Sequence, residues 1–158
     1  MMTPLRLAPS SMRVEHHTDP IINERIRART DEELARLEAS ESAEFALRLD
    51  QLNREWDIER MLQVNASALV LLGVALGVTV DRRFLVLPAA VLAFFAQHAL
   101  QGWCPPVPLL RRLGMRTARE IERERYAIKA LRGDFDRLPP ARADRDRRVR
   151  AVLAAIDN

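Results

Sequence analysis

The chain has 158 residues, of which 48% are apolar and 30% charged, proportions close to those of an ordinary soluble protein. The charge is unevenly placed. Residues 1–60 hold 9 basic and 13 acidic side chains (net −4), and residues 111–158 hold 14 basic and 8 acidic side chains (net +6). Between them, residues 61–110 hold only three charged side chains, which are adjacent at positions 81–83. The single cysteine excludes an intrachain disulfide and a zinc site built from several cysteines. Together these features predict an all-α membrane protein.

Residues 1–19 lack hydrophobic periodicity and are expected to form a flexible N-terminal tail. Glu15, His16 and His17 are metal-ligand types, but a pair of histidines in a tail lacks the further converging ligands that a site needs. We therefore expect no metal.

Residues 20–60 are expected to form an acidic, cytoplasmic helical arm. Thr18-Asp19-Pro20 predicts a helix start, and Thr30 with Glu33 forms a capping-box pattern that predicts the opening of a further helical segment. From residue 40 to residue 60 there is no Gly or Pro. Apolar residues recur there at a helical 4-3-4 spacing: Phe45, Leu49, Leu52 and Trp56. This amphipathic helix is expected to enter the first membrane span without a break.

Two uncharged segments of 20 residues, 61–80 and 84–103, follow the acidic arm. An α-helix of that length is about 30 Å long, the thickness of the hydrocarbon core of a bilayer. Pro88 lies near the start of the second segment, where a helix tolerates it. Both segments are apolar all round, unlike helices of a soluble bundle that meet water on one face. The sequence predicts a two-span transmembrane helical hairpin over residues 61–103.

Basic residues near the ends of the two spans predict the orientation. The outer flanks carry eight arginines and the turn carries two, Arg82 and Arg83, so both termini are expected in the cytoplasm. Trp56 and Trp103 bracket the hairpin at one end, as interfacial anchors do.

Small residues in both spans predict close helix packing. Gly73 and Gly77 form a Gly-x-x-x-Gly face, and Ala89 and Ala93 offer a similar surface in the second span. Such faces serve equally for packing within the hairpin and for association of two copies, and the spacing alone favours neither.

Five polar side chains are expected to gather at the cytoplasmic end of the hairpin when it folds about Arg82: Gln63, Asn65, Gln97, His98 and Gln101. We interpret them as an interhelical hydrogen-bonding cluster, with an intramembrane titratable role for His98 as the alternative.

Residues 104–116 are predicted to form an interfacial Cys-Pro loop, and residues 117–158 a basic cytoplasmic helical arm and tail. An amphipathic helix is expected over residues 116–132, ended by Gly133, and a short one near the C-terminus. The apolar stripes of the acidic and basic arms are expected to pack together with complementary charge, as in a coiled coil. Acidic residues alternate with the arginines, which favours anionic lipid headgroups over nucleic acid as the partner.

Cys104 allows several functional interpretations and a structural one. Near Arg111 and Arg112, its thiol could have a lowered pKa and act as a redox or persulfide carrier with His98 nearby. It could also carry a palmitoyl group or, as Cys-Pro, ligate a haem. The structural alternative is a small buried residue in a proline-rich turn, which we favour because no resolving cysteine or general base is evident.

The motif Gly102-Trp103-Cys104-Pro105-Pro106, followed by Leu113-Gly114, comes directly after the hydrophobic hairpin. In this it resembles the YgaP-like transmembrane domain, a bacterial inner-membrane family largely of unknown function whose signature includes Gly-x-Cys-Pro past the second span. The resemblance covers about residues 55–116, and the sequences that flank the hairpin are similar to those of stand-alone proteobacterial members. It implies a location in the bacterial inner (plasma) membrane. Some members carry a rhodanese, a sulfurtransferase domain that residues 1–60 do not contain, so sulfur transfer does not carry over.

No phosphate loop, catalytic triad or paired-carboxylate site is recognisable in the arms, so we expect neither catalytic residues nor a cofactor. The sequence favours a non-enzymatic membrane protein, either a homo-oligomer or an accessory subunit that binds another membrane protein. The alternatives are the thiol carrier and, more weakly, an oligomeric channel. The channel is weaker because the spans contain no acidic residue that could line an ion path.

Overall fold

A computed structural model describes residues 10–40, 42–140 and 142–157. In these ranges the secondary structure is helical, with no strand. Short 3-10 turns lie at Ser10–Met12 and Arg82–Leu85. The α-helices are α1 (Arg13–His16), α2 (Pro20–Glu38), α3 (Ser42–Arg54), α4 (Ile58–Thr79), α5 (Val86–Gln101), α6 (Val107–Arg112), α7 (Ala118–Leu131) and α8 (Arg145–Asp157).

The described residues divide into two compact units. The hairpin unit comprises residues 10–27 and 56–119, and the arm unit comprises residues 28–55 and 120–157 within the described ranges. The hairpin unit thus takes in part of the N-terminal segment as well as the two apolar helices.

The first apolar helix, α4, begins afresh after the acidic arm. The expectation of one unbroken helix is wrong, because α3 ends at Arg54 and residues 55–57 are not helical. Asp57 adopts an extended conformation, and its carboxylate accepts a hydrogen bond from the Arg60 amide at 2.6 Å. This N-cap satisfies a free amide of the first turn, which allows a helix to start there.

The two glycines of α4 are in close contact with the returning chain, Gly73 with α5 and Gly77 with the preceding 3-10 turn. A methyl group on Gly73 would lie 2.5 Å from Cδ of Pro88, and one on Gly77 would lie 2.5 Å from Cδ2 of Leu85. Both glycines are buried, whereas Ala89 and Ala93 are exposed. The Gly-x-x-x-Gly face is therefore used inside the hairpin, where the absence of Cβ atoms lets the two backbones approach.

The N-terminal segment is ordered from residue 10, so the prediction of a tail over residues 1–19 is wrong for residues 10–19, while residues 1–9 lie outside the described residues. Val14 on α1 is buried in a hydrophobic cluster of the hairpin unit. The Thr18 hydroxyl donates to the Val14 carbonyl at 2.7 Å, and the Asp19 carboxylate accepts from the Ile21 amide at 2.8 Å. The predicted start of α2 at Pro20 is confirmed.

The arm unit is built on the predicted apolar stripes. Its core joins α2, α3 and α7 through six buried residues: Leu37, Phe45, Leu49, Leu52, Ile121 and Ile128. The expectation that the two stripes pack together is confirmed for these residues, whereas Trp56, the last residue of the acidic stripe, lies outside this core and is 42% exposed. The coiled-coil form of the packing stays a prediction. Thr30 does not open a new helix, because it lies inside α2 and is buried.

At the buried ion pair of the arm unit, each partner has a charge opposite in sign to the net charge of the arm it belongs to. Arg48, from the acidic arm, donates to the fully buried Glu124 of the basic arm at 2.7 Å. Glu33 lies 3.8 Å from Arg48 and 2.8 Å from Arg36, whose guanidinium holds the pKa of Glu33 below its usual range through a side-chain hydrogen bond. The specific partners, rather than the net charges, define how these helices meet.

The basic arm ends in two further elements. Gly133 has a φ of 81°, a left-handed conformation that ends α7 as predicted. On α8 the packed residue is Ala155, whereas Val149 and Leu153 are exposed. Of the four apolar residues predicted to line this last helix, the other two, Val152 and Ile156, are half-buried, so the expected stripe is packed only in part.

The close approach within the hairpin predicts different outcomes for two similar substitutions. Gly73→Ala should destabilise the protein by about 1–3 kcal/mol through overpacking, because the rigid Pro88 ring cannot yield. Gly77→Ala should be near neutral, because the end of the Leu85 side chain can move and alanine favours helix. Loss of helix signal on titrating detergent-solubilised protein with a denaturing detergent measures both. If Gly73→Ala kept full stability but lost self-association, the glycine face would belong to an interface between copies.

Candidate functional site

The candidate site is the end of the hairpin where α4 begins and α5 ends. Trp56 immediately precedes α4, and Trp103 follows Gly102, so the antiparallel hairpin brings both to the same end. The Arg60 guanidinium carbon lies 4.5 Å from the centre of the Trp56 ring, and Trp56 is 42% exposed. A tryptophan that carries a stacked arginine and remains half exposed suits the layer between hydrocarbon and water.

The outer surface of the hairpin is apolar and uncovered. Two segments, Ala43–Thr79 and Arg82–Gln101, contain windows long and apolar enough to cross a membrane, and the charged residues of α3 place the first window in α4. Only 17% and 11% of the residues in these windows are buried. Large apolar side chains point outward along both helices, among them Leu69, Leu71, Leu72, Val74, Val78, Val86, Leu92 and Phe94.

The predicted polar cluster does not form as a hydrogen-bonded group. Gln63, Asn65 and Gln101 are exposed, Gln97 is half-buried, and His98 is 4% exposed. Neither ring nitrogen of His98 has a hydrogen-bond partner among the described residues. The interhelical hydrogen bonds expected for this set are therefore wrong for His98, which instead lies in the packed end of α5 with its carbonyl accepting from the Gly102 amide at 2.7 Å.

Cys104 is a packed residue rather than an accessible thiol. It is 4% exposed and belongs to a cluster with Val14, Ile58, Leu62 and Val107. Burial raises the pKa of the Cys104 thiol, and a hydrogen bond from the backbone of Val107 opposes this only partly. The lowered pKa considered for a thiol carrier is therefore wrong in direction, because a buried sulfur is stabilised as the neutral thiol.

Arg111 is buried at this end of the hairpin unit, a structural role that the sequence did not predict. Its guanidinium donates to Asn23 Oδ1 at 2.7 Å and to the Met115 carbonyl at 3.1 Å, and its side chain is fully buried. Asn23 in turn donates to the Glu15 carbonyl at 2.8 Å. The arginine that was expected to lower the thiol pKa instead ties α6 to α2, and no pattern in the sequence pairs residues 88 positions apart.

Gly102 provides the space in which the N-terminal segment packs. It has a φ of 79°, which ends α5, and a methyl group there would lie 2.5 Å from the Arg13 carbonyl carbon. Both the conformation and the contact require glycine at this position. The first residue of the Gly-x-Cys-Pro motif therefore has a structural role.

Metal-ligand types do not converge in the part of the chain that the structure describes, where no group of three or more His, Cys, Asp or Glu is placed to hold an ion. His16 and His17 have ring centres 5.6 Å apart, and Nδ1 of His17 lies 2.9 Å from the Arg13 carbonyl oxygen. These histidines are used in local helix contacts.

Comparison with family models, with curated proteins and with solved structures finds no match to this chain. The resemblance to the YgaP-like transmembrane domain therefore stays a prediction that rests on the motif at residues 102–106.

The burial of Cys104 predicts slow chemical modification. In detergent-solubilised native protein, alkylation of Cys104 should be at least about ten times slower than alkylation of Leu47→Cys in a Cys104→Ala background, since Leu47 is 60% exposed. Because the pKa of Cys104 is raised, its rate should also increase at a higher pH than that of the exposed thiol. Rates are read from mass shifts over a pH series. Equal rates, with the Cys104 profile shifted to lower pH, would favour a reactive thiol.

Proposed function

We propose that this chain is a small bacterial inner-membrane protein whose hairpin crosses the bilayer twice, with both termini in the cytoplasm. In this proposal α4 and α5 are the spans, Arg82 and Arg83 lie in the outer turn, and the two arms fold on the cytoplasmic side. The resemblance to YgaP-like domains supports the location, and the excess of arginine beyond the outer ends of the spans supports the orientation.

The observation that carries the proposal is the uncovered apolar surface of the hairpin. Leu71 is 71% exposed, Val78 is 78% exposed and Val86 is 72% exposed. In the described residues of α4 and α5, further exposed apolar side chains surround them, and neither helix has a polar face. Exposed apolar surface costs about 25 cal/mol per Å² in water. A bilayer removes that cost along both helices at once, because its hydrocarbon core matches their length.

Within the membrane we assign the protein a non-enzymatic role as a self-associating or accessory subunit. The glycine face of α4 is occupied by α5, which leaves the exposed Ala89 and Ala93 as the small-residue surface for another helix. The burial of Cys104 argues against a thiol carrier.

Orientation is tested with a reporter enzyme that is active only outside the cytoplasm. A fusion after Arg83 should be active, and a fusion after Asn158 should be inactive, because the positive flanks stay in the cytoplasm. Activity is normalised to the amount of fusion protein in the membrane fraction. Activity of the C-terminal fusion with an inactive turn fusion would reverse the topology, and recovery of the chain in the soluble fraction would exclude insertion.

Self-association is tested by enlarging the exposed small residues. The double variant Ala89→Leu, Ala93→Leu should reduce crosslinked dimer in native membranes by about tenfold, since a small-residue interface loses its close backbone contact. Ala90→Leu, an equally conservative change at an exposed neighbour off that face, is the matched control. An unchanged dimer yield in the double variant would remove this surface from the interface, and absence of any crosslink to self in the wild type would leave only the accessory-subunit form.

A further inference from the structure

The short helix α6 shows one reversal relative to a helix on a water-facing surface: Arg111 lies inward and Leu109 outward, although Leu110 packs inward and Arg112 is exposed as usual. Val107 and Arg111, one turn apart, are both fully buried. Leu109 and Leu113, also one turn apart, are 61% and 71% exposed, on the opposite side. A helix that borders water places leucine inward and arginine outward. The outward leucines therefore indicate that the surroundings of this side are apolar.

The reversal is fixed by specific hydrogen bonds. Arg111 cannot turn outward without losing its bonds to Asn23 Oδ1 and to the Met115 carbonyl, at 2.7 Å and 3.1 Å. A buried guanidinium that loses its partners is strongly destabilising, so these bonds hold the inner side of α6 against the hairpin unit. The same bonds determine which residues of α6 face outward.

The position of α6 in the chain identifies what covers the leucines. α5 ends at Gln101, and α6 begins at Val107, after a left-handed glycine and a pair of prolines. Only a few residues therefore separate the apolar surface of the second span from the exposed leucines. Arg112 is exposed beside Leu113, and Arg60 and Trp56 are exposed at the start of α4 in the same unit. Leucine, tryptophan and arginine together are the composition of segments that lie in the headgroup layer.

We infer that α6 is an interfacial helix, in which Leu109 and Leu113 insert into the boundary between headgroups and acyl chains of the leaflet that α5 leaves, and Arg112 binds the lipid phosphates. The inference rests on the proposed function, because it requires α5 to end at the membrane surface. It adds a second membrane contact besides the spans, and a lipid class, since an exposed arginine favours anionic headgroups.

Depth-dependent fluorescence quenching tests this inference with matched sites. Single cysteines replace Leu109, Leu113, Leu47 and Leu71 in a Cys104→Ala background, each carries an environment-sensitive fluorophore, and the full chain is reconstituted in vesicles of phosphatidylethanolamine and phosphatidylglycerol. Leu47 on α3 matches Leu109 in exposure, 60% against 61%, and Leu71 in α4 matches Leu113 at 71%. Unchanged circular dichroism confirms that each variant is folded.

The two outer leucines should respond to shallow membrane quenchers. Nitroxides placed near the headgroup should quench labels at 109 and 113 about three times more strongly than the label at 47, and aqueous iodide should show the reverse order. The label at 71 should respond most to nitroxides near the ends of the acyl chains, because it lies at mid-helix.

Each other outcome overturns one proposal. Iodide quenching at 109 and 113 equal to that at 47, with 71 quenched by deep nitroxides, would overturn the interfacial helix and leave the transmembrane hairpin standing. Protection of 109 and 113 from both kinds of quencher would also overturn it, because a protein surface would then cover the leucines. Iodide quenching at 71 would overturn the proposed membrane insertion itself.

Discussion

Two antiparallel helices can cover only the side of each that faces the other, and this constraint governs the whole hairpin unit. The line of contact passes through Gly73, which meets Pro88 of α5, and Gly77, which meets Leu85 of the preceding turn. Away from this line and from the packed end at Ile58 and His98, the large apolar side chains of both helices are mostly exposed in the described chain. In a soluble bundle, a third and a fourth helix would cover these sides. Under the proposed membrane insertion, a bilayer covers them without any specific contact.

A second constraint acts at the end of the hairpin where α5 stops. After residues 102–106, α6 places Arg111 in a buried position that needs hydrogen-bond acceptors. Asn23 supplies one of them from the N-terminal segment, and the same segment contributes Val14 to the apolar cluster around Cys104. Residues 10–23 thus adopt a defined conformation because Asn23 binds Arg111 and Val14 fills the apolar cluster at this end of the hairpin. A segment without periodicity of its own is ordered by the sites that it satisfies.

The parts of the fold that depend on local pattern were predictable from the sequence. The two long apolar helices follow from 20-residue uncharged segments, the start of α2 from Asp19-Pro20, and the packing of α3 on α7 from one apolar stripe on each. The break before α4 was not predictable, because the helical periodicity continues through Asp57 and only the backbone geometry makes that residue a cap. The sequence also could not decide what the glycine face packs against, since the same spacing suits the second helix of the hairpin and a second copy of the chain.

The candidate site was predictable in position but not in chemistry. Sequence spacing placed Trp56, Trp103 and Cys104 at one end of the hairpin, as the structure has them. It could not assign Arg111 to the inside, because an arginine after a membrane span ordinarily faces water or phosphate. It also treated His98 as a hydrogen-bonding residue, whereas packing buries its ring without a partner. Burial is a property of distant contacts, and a single sequence carries no record of them.

The Gly-x-Cys-Pro motif has a structural explanation that needs no thiol chemistry. Gly102 ends α5 in a left-handed conformation and leaves room for the backbone of Arg13. Cys104 fills a small space in the apolar cluster, and its carbonyl accepts the Val107 amide at 3.0 Å, which closes the turn into α6. The two prolines between them restrict that turn to the conformation that begins a helix. The motif therefore joins α5 to a short helix with a fixed outward side, and the proposed interfacial role of α6 places that side against lipid.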